Sequence, residues 1–234
     1  MQQDQQNFET QTPAVEPAPA AEQSQPALPG GRKFSKKEAL KFGWQRFKQN
    51  WVIFLLYAVI IGALWGLDFG VQKVLAGQSL LLFVWMVVQI AIGLLVALGL
   101  VRVTLKVVDG QGAQFKDYFG EDFAKIVSYF AAAVLTGIAT VIGLILLIVP
   151  GIIIGTRFSL FPYFIVDKNL GPVEAMSASW RATQGSVWNL FLYNLLGTVL
   201  TLLGVLALVI GAFVVGAAVT IGTGYIYRRL SASE

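Results

Sequence analysis

The stretch "GPVEAMSASWRATQGSVWNLF", residues 171–191, decides the fold. It opens as a short polar helix: Gly171 stands at the cap, Pro172 at the first helical position and Glu174 at the third, an arrangement that satisfies the free N–H groups of a helix start. It then runs into a long apolar segment. The same grammar stands at residues 35–54, "SKKEALKFGWQRFKQNWVIF", where Ser35 and Glu38 form a capping box. Glu38-Ala39-Leu40 answers Glu174-Ala175-Met176, and Trp44 answers Trp180. At about 100° per residue, Leu40, Trp44, Phe47 and Trp51 share one face, as do Met176, Trp180, Thr183 and Val187. Each segment is thus an apolar stripe on a polar helix that leads into an apolar block, the pattern of a helix lying in a membrane interface.

A weaker third copy begins at Asp117, with Phe119, Phe123, Ile126 and Phe130 at the same offsets. Every copy precedes two apolar blocks. The chain therefore reads as three units, each an interfacial amphipathic helix followed by a transmembrane hairpin that enters from the cytoplasm.

The composition agrees. With 56% hydrophobic residues, 13% charged and a mean hydropathy of +0.69, the chain is too apolar for a soluble domain of this size. The apolar blocks reach the length at which a helix rising about 1.5 Å per residue crosses roughly 30 Å of hydrocarbon. They show no strand-like alternation, so the expected class is all-α, a polytopic membrane protein with six transmembrane helices plus cytoplasmic interfacial helices. The first four spans are expected at residues 51–67, 80–101, 126–149 and 151–166. The 46 residues between Arg181 and Arg228 carry no charge. A single helix over 187–227 would be about twice a bilayer thickness, so it must fold back between Gly204 and Gly211.

Seven of the 17 Lys and Arg lie from Arg32 to Lys48, and Arg102, Lys106, Lys116, Lys125, Lys168, Arg181, Arg228 and Arg229 fall in alternate loops, whereas the opposite loops hold only Lys73. The positive-inside rule puts both termini in the cytoplasm of a cell whose inner membrane holds the protein. The pI near 9.3 then signals an anionic cytoplasmic leaflet as partner and not nucleic acid. No cleavable signal peptide is expected, because the first thirty residues lack a basic and an apolar region. Residues 1–31 are rich in Gln, Pro and Ala and read as a disordered cytoplasmic tail; residues 32–230 form the membrane domain and 231–234 a short C-terminal tail. Such a tail offers a protein partner a docking segment, although a plain solvated extension is the simpler reading.

The runs "LLIVPGIIIGTRFSLFPYFIVDKNLGPVEAMSASWRATQGSVWNLF" and "YIYRRL" resemble uncharacterised bacterial six-span inner-membrane proteins. They also resemble the membrane domain that precedes the catalytic domain in some glycerophosphodiester phosphodiesterases. The resemblance covers about residues 33–230 and implies the six-span fold, but no activity. The catalytic domain itself is absent, and with it the His and the carboxylate cluster that its chemistry needs.

The chain has no Cys and no His, which excludes thiolate nucleophiles, Cys/His zinc sites and imidazole acid–base chemistry. Glycine-rich phosphate loops, paired carboxylates and nucleophile elbows are absent too, so no catalytic, cofactor-binding or metal residue is expected. What remains is polar groups among the apolar blocks. Arg157, seven residues past Pro150, is the foremost: it either lines a polar cavity or reaches the headgroups or Asp68. Gln89 and Asn194 are further candidates, Asn194 sharing a face with Thr198 and Thr201. The expected function is a non-catalytic membrane protein of structural, scaffolding or lipid-interacting type. The alternative is a small-molecule or lipid transporter with a polar site near Arg157.

Overall fold

The computed structural model describes residues 34–120, 123–206 and 209–232; the tail expected over 1–31 lies outside them. The described chain is all-helical, with α1 (Lys36–Val74), α2 (Ser79–Val108), a short 3-10 helix (Phe115–Tyr118), α3 (Phe123–Leu146), α4 (Ile148–Phe158), α5 (Phe161–Lys168), α6 (Pro172–Ala182), α7 (Val187–Leu206) and α8 (Val209–Ser231). Among the described residues, five stretches are long and apolar enough to cross a membrane: α1, α2, α3, α4 with α5 taken as one, and α7. The protein is a multi-pass membrane protein.

Local chemistry explains the helix ends. Ser35 caps α1 by accepting the Glu38 N–H at 3.5 Å, and the Gly171 N–H donates to Glu174 Oε2 at 3.2 Å at the start of α6. Asn169 ends α5 in the left-handed region (φ 53°), which its short polar side chain tolerates, and Gly185 (φ 76°) turns the chain from α6 into α7. The first interfacial helix runs on into the span expected from residue 51. α1 runs for 39 residues and only kinks at Asn50, whose backbone leaves the helical region (φ −124°, ψ 22°). The Asn50 side-chain amide donates to the Arg46 carbonyl at 3.0 Å, taking over an acceptor of the helical ladder.

The packed core sits at one end of the bundle. Phe54, Leu98, Tyr118, Leu160, Phe164 and Ile226 are all fully or almost fully buried, and all lie toward the end that carries the basic residues. α1 crosses α8 at Gly43, where a Cβ would fall on the Ala218 carbonyl oxygen and beside the Gly222 N; only glycine allows that approach. Tyr118 packs its backbone on Gly99 of α2 and donates its hydroxyl to the Ile53 carbonyl at 3.0 Å, which pins the 3-10 helix between α1 and α2.

Toward the other end the hairpins separate. α3 meets α4 through Gly143 and Gly151, α7 meets α8 through Gly204 and Gly211, and α1 and α2 touch only along part of their length. The turn between α7 and α8 includes residues 207–208, which lie outside the described ones. One register ties the hairpins to a common scale. A Cβ on Gly224 of α8 would lie 2.8 Å from a Thr104 methyl, 3.2 Å from a Val108 methyl and 3.6 Å from the Tyr163 ring. Gly224 is therefore level with Lys106 of α2 and lies beside the Tyr163 ring of α5.

Candidate functional site

The charged ends of α2, α5 and α8 and the 3-10 helix build a layer of ion pairs. Asp109 closes α2, Asp167 comes within two residues of the end of α5, and Arg228 lies in the last turn of α8. Arg228 reaches both acids. Its Nε and Nη2 donate to Asp109 at 2.9 and 2.5 Å, and its Nη1 donates to Asp167 at 2.7 Å. Tyr227 adds a hydroxyl bond of 2.6 Å to the same Asp167 oxygen. Beside them Lys106 pairs with Asp117 at 2.7 Å, and Arg229 reaches Glu38 at 3.3 Å, joining the start of α1 to the end of α8.

A cleft of about 450 Å³ opens among these groups, lined by Arg102, Lys106, Gln111, Lys125 and the three aspartates. Burial acts to raise the Asp117 carboxyl. The hydrogen bond from Lys106, the Gln114 N–H at 2.7 Å and the charges of Lys106 and Lys116 outweigh it, so Asp117 is held below its ordinary value. The layer is thus a set of acids each held by a cation, an arrangement that fixes helices relative to one another. Among the described residues no cluster of three or more His, Cys, Asp or Glu could hold a metal ion.

The residues singled out from sequence do not form one site. Arg157, near the end of α4, lays its guanidinium 4.3 Å from the centre of the Trp180 ring. Its carbonyl accepts the Ser179 hydroxyl at 2.6 Å, and Ser179 in turn accepts the Leu160 N–H at 3.3 Å, so α6 clamps the break between α4 and α5. Arg157 does not pair with Asp68. Asp68 accepts Trp85 Nε1 at 2.8 Å and Gln72 Nε2 at 2.7 Å, and Gln89 lies close to the same carboxylate, so Asp68 and Gln89 meet on the α1–α2 hairpin.

Asn194 lines a separate apolar groove of about 340 Å³ between α3, α4 and α7, with Thr140, Thr156 and Thr198. Of the paired positions, Glu38 and Glu174 both serve helix starts. Trp44 is 42% exposed with the Lys48 ammonium 5.2 Å from its ring, whereas Trp180 is 36% exposed beneath Arg157. The third copy differs: Asp117 is the third residue of the 3-10 helix and faces Lys106 and Gln114 instead of opening an amphipathic α-helix.

Sequence reasoning missed the Asp109–Arg228–Asp167 centre, whose members stand 119 and 61 residues apart. The available signal was that each acid ends an apolar helix where the positive-inside rule places cations.

No family model matches the chain, and no solved structure does. It is similar to an uncharacterised protein of Mycobacterium tuberculosis, 23% identical over 229 aligned positions that cover 86% of this chain and 70% of the relative. An uncharacterised protein of Mycobacterium bovis is similar to the same extent, at 23% identity over 86% of this chain and 70% of its own length.

Proposed function

We propose that this chain is a non-catalytic inner-membrane protein with six membrane-embedded helices in three hairpins, both termini in the cytoplasm, and a cytoplasmic face that holds anionic lipid. One observation carries the reading. The first part of α1 packs Ala39, Gly43 and Phe47 inward, yet exposes Lys37, Lys41 and Lys48 together with Trp44 and Trp51. Ammonium groups flanking tryptophans suit a headgroup boundary, where each lysine contributes about 1 kcal/mol toward an anionic surface. The non-catalytic reading is supported by the pairing of Asp109, Asp117, Asp167 and Glu38 with cations and by a chain without His or Cys. A transporter would need a polar route to Arg157. The covering of that guanidinium by Trp180 favours the lipid reading instead.

Two measurements test it. Reporter fusions after Gln78 and after Glu234 should report opposite sides of the membrane; agreement between them removes the proposed orientation. Full-length protein extracted in polymer discs should carry more anionic lipid than the surrounding membrane, and the triple variant Lys37→Glu, Lys41→Glu, Lys48→Glu should lose that enrichment. Equal lipid content in both discs would refute the lipid-holding role.

A further inference from the structure

We infer that only the α1–α2 hairpin crosses the bilayer completely, while the α3–α4 and α7–α8 hairpins enter from the cytoplasmic side and end near its midplane, with acyl chains covering their tips. The inference rests on the orientation proposed above and concerns how deep each hairpin reaches.

The α1–α2 hairpin sets the scale. Its apolar run on α2 is bounded by Arg102 on one side and by Gln78 and Ser79 on the other, and Gln78 stands 24 residues from Arg102, about 36 Å along a helix. That matches a hydrocarbon core of about 30 Å plus its edges. The polar groups of this hairpin collect at the far end: Asp68 bonds to Trp85, with Gln72, Lys73 and Gln89 nearby. Trp65, 77% exposed, lies there too, as a side chain at an interface would.

In each of the other two hairpins one arm is shorter on the same scale. Gly224 is level with Lys106, so four residues further out Thr220 is level with Arg102; from Thr220 to Val209, where α8 begins, there remain 11 residues, about 17 Å. α4 has 11 residues, about 16 Å, between Leu147 and the break at Ser159 that leads into α5. α3 is long enough to cross, but its first turns are spent beside the core, where Lys125 donates to the Val166 carbonyl at 3.4 Å and Tyr129 meets Phe161 at 5.5 Å. Each short arm thus covers about half the length of the apolar run of α2.

Their chemistry fits that depth. Residues 141–154 and 202–219 contain no polar side chain at all, in contrast to the tip that carries Asp68, Gln72, Lys73, Gln78 and Ser79. The tip of α3–α4 is also exposed from protein: Ile145 is 79% and Leu147 68% accessible. A turn in hydrocarbon must limit its free backbone groups. Here a single residue, Leu147, joins the helices; its N–H bonds to the Gly143 carbonyl at 3.0 Å, its carbonyl accepts the Gly151 N–H at 3.4 Å, and Pro150 in the first turn of α4 has no N–H to leave unpaired.

The chain has no Cys, so single-cysteine variants report one position each. Leu147→Cys and Leu206→Cys alter exposed side chains outside the core. Each full-length variant is labelled with bimane and reconstituted in phosphatidylcholine brominated either close to the headgroup or near the chain ends, after its melting temperature is matched to the parent. Both labels should lose more fluorescence to the deep bromines than to the shallow ones. Stronger quenching by the shallow bromines at either tip would overturn the inference for that hairpin. A Gln78→Cys variant, probed with a membrane-impermeant maleimide outside intact cells, tests the orientation separately: failure to label it sinks the orientation, while the quenching still decides depth.

Discussion

Removing Arg228 should loosen the charged end of the bundle more than any other single charge change, because one guanidinium links α2, α5 and α8. Its three charge-assisted bonds to Asp109 and Asp167 are 2.5–2.9 Å long. Such bonds contribute about 1.5–3 kcal/mol each when dry. The Arg228, Asp109 and Asp167 side chains remain 24%, 30% and 22% accessible, so screening by solvent takes part of that away. About 2–4 kcal/mol is then expected for Arg228→Met, which leaves two neighbouring carboxylates without their cation. Arg228→Lys keeps the charge but not the fork and should lose about half as much. At roughly 2–4 °C per kcal/mol for a chain of this size, the Met variant should melt several degrees earlier in detergent. Adding Asp109→Asn to Arg228→Met should cost less than the sum of the single changes, since the stranded acid is then neutral. A Met variant within about 0.5 kcal/mol of the parent, or strictly additive double variants, would refute a linking role.

Three further outcomes are expected. Gly43→Ala should destabilise by about 1–3 kcal/mol in thermal melts, because backbone stands on both sides of the clash, whereas Gly62→Ala, whose Cβ meets open space, should be neutral or slightly stabilising; equal effects would contradict the α1–α8 crossing. Arg157→Leu and Trp180→Leu should each cost about 0.5–2 kcal/mol in the same assay and should not add when combined, with Arg157→Lys milder; independent, additive losses would dissolve the stacked pair. Asp117 has a folded pKa below its unfolded one, so its contribution is fully present above the ordinary aspartate value and is lost as pH falls through the folded one. The stability gap between the parent and Asp117→Asn should accordingly be constant near neutral pH and close on strong acidification; a gap that widened in acid would reverse the sign argued for this carboxyl.

The helical class, the apolar blocks and the starts of α1 and α6 were legible because each rests on local chemistry. Apolar length, Ser35 with Glu38, and Pro172 with Glu174 act within a few residues of where they are read. The junction at residue 50 was less so. Asn50 looks like an ordinary polar residue between a basic helix and a span, and its action as a kink depends on the side chain taking the Arg46 carbonyl. The ion-pair layer was not legible at all, since no local rule chooses Asp109 and Asp167 for Arg228 over the other cations of that face. The third amphipathic copy was read from offsets alone. Tyr118 packs on Gly99 and Asp117 pairs with Lys106, and these long-range contacts hold the segment as a tight 3-10 turn.

Arg157 shows how far counting along the sequence can differ from a residue's place in the fold. Counted from Pro150, it is the charge furthest inside an apolar block, which makes it look like a costly group kept for transport. In the fold, it stands in the last turn of α4, two residues before Ser159 at the break into α5, and α6 holds that break through Ser179. A guanidinium at the end of a helix needs less reach to polar surroundings than one at its middle, and stacking on Trp180 shields its apolar flank. The depth of the α3–α4 hairpin and the role of Arg157 are therefore one question. If the tip at Leu147 lies at the midplane, the charge lies at the edge. If the tip reached the far surface, the same helix would carry Arg157 toward the centre of the bilayer, and Arg157→Lys would then be as damaging as Arg157→Leu, because neither stacking nor snorkelling could meet the cost of a buried cation there.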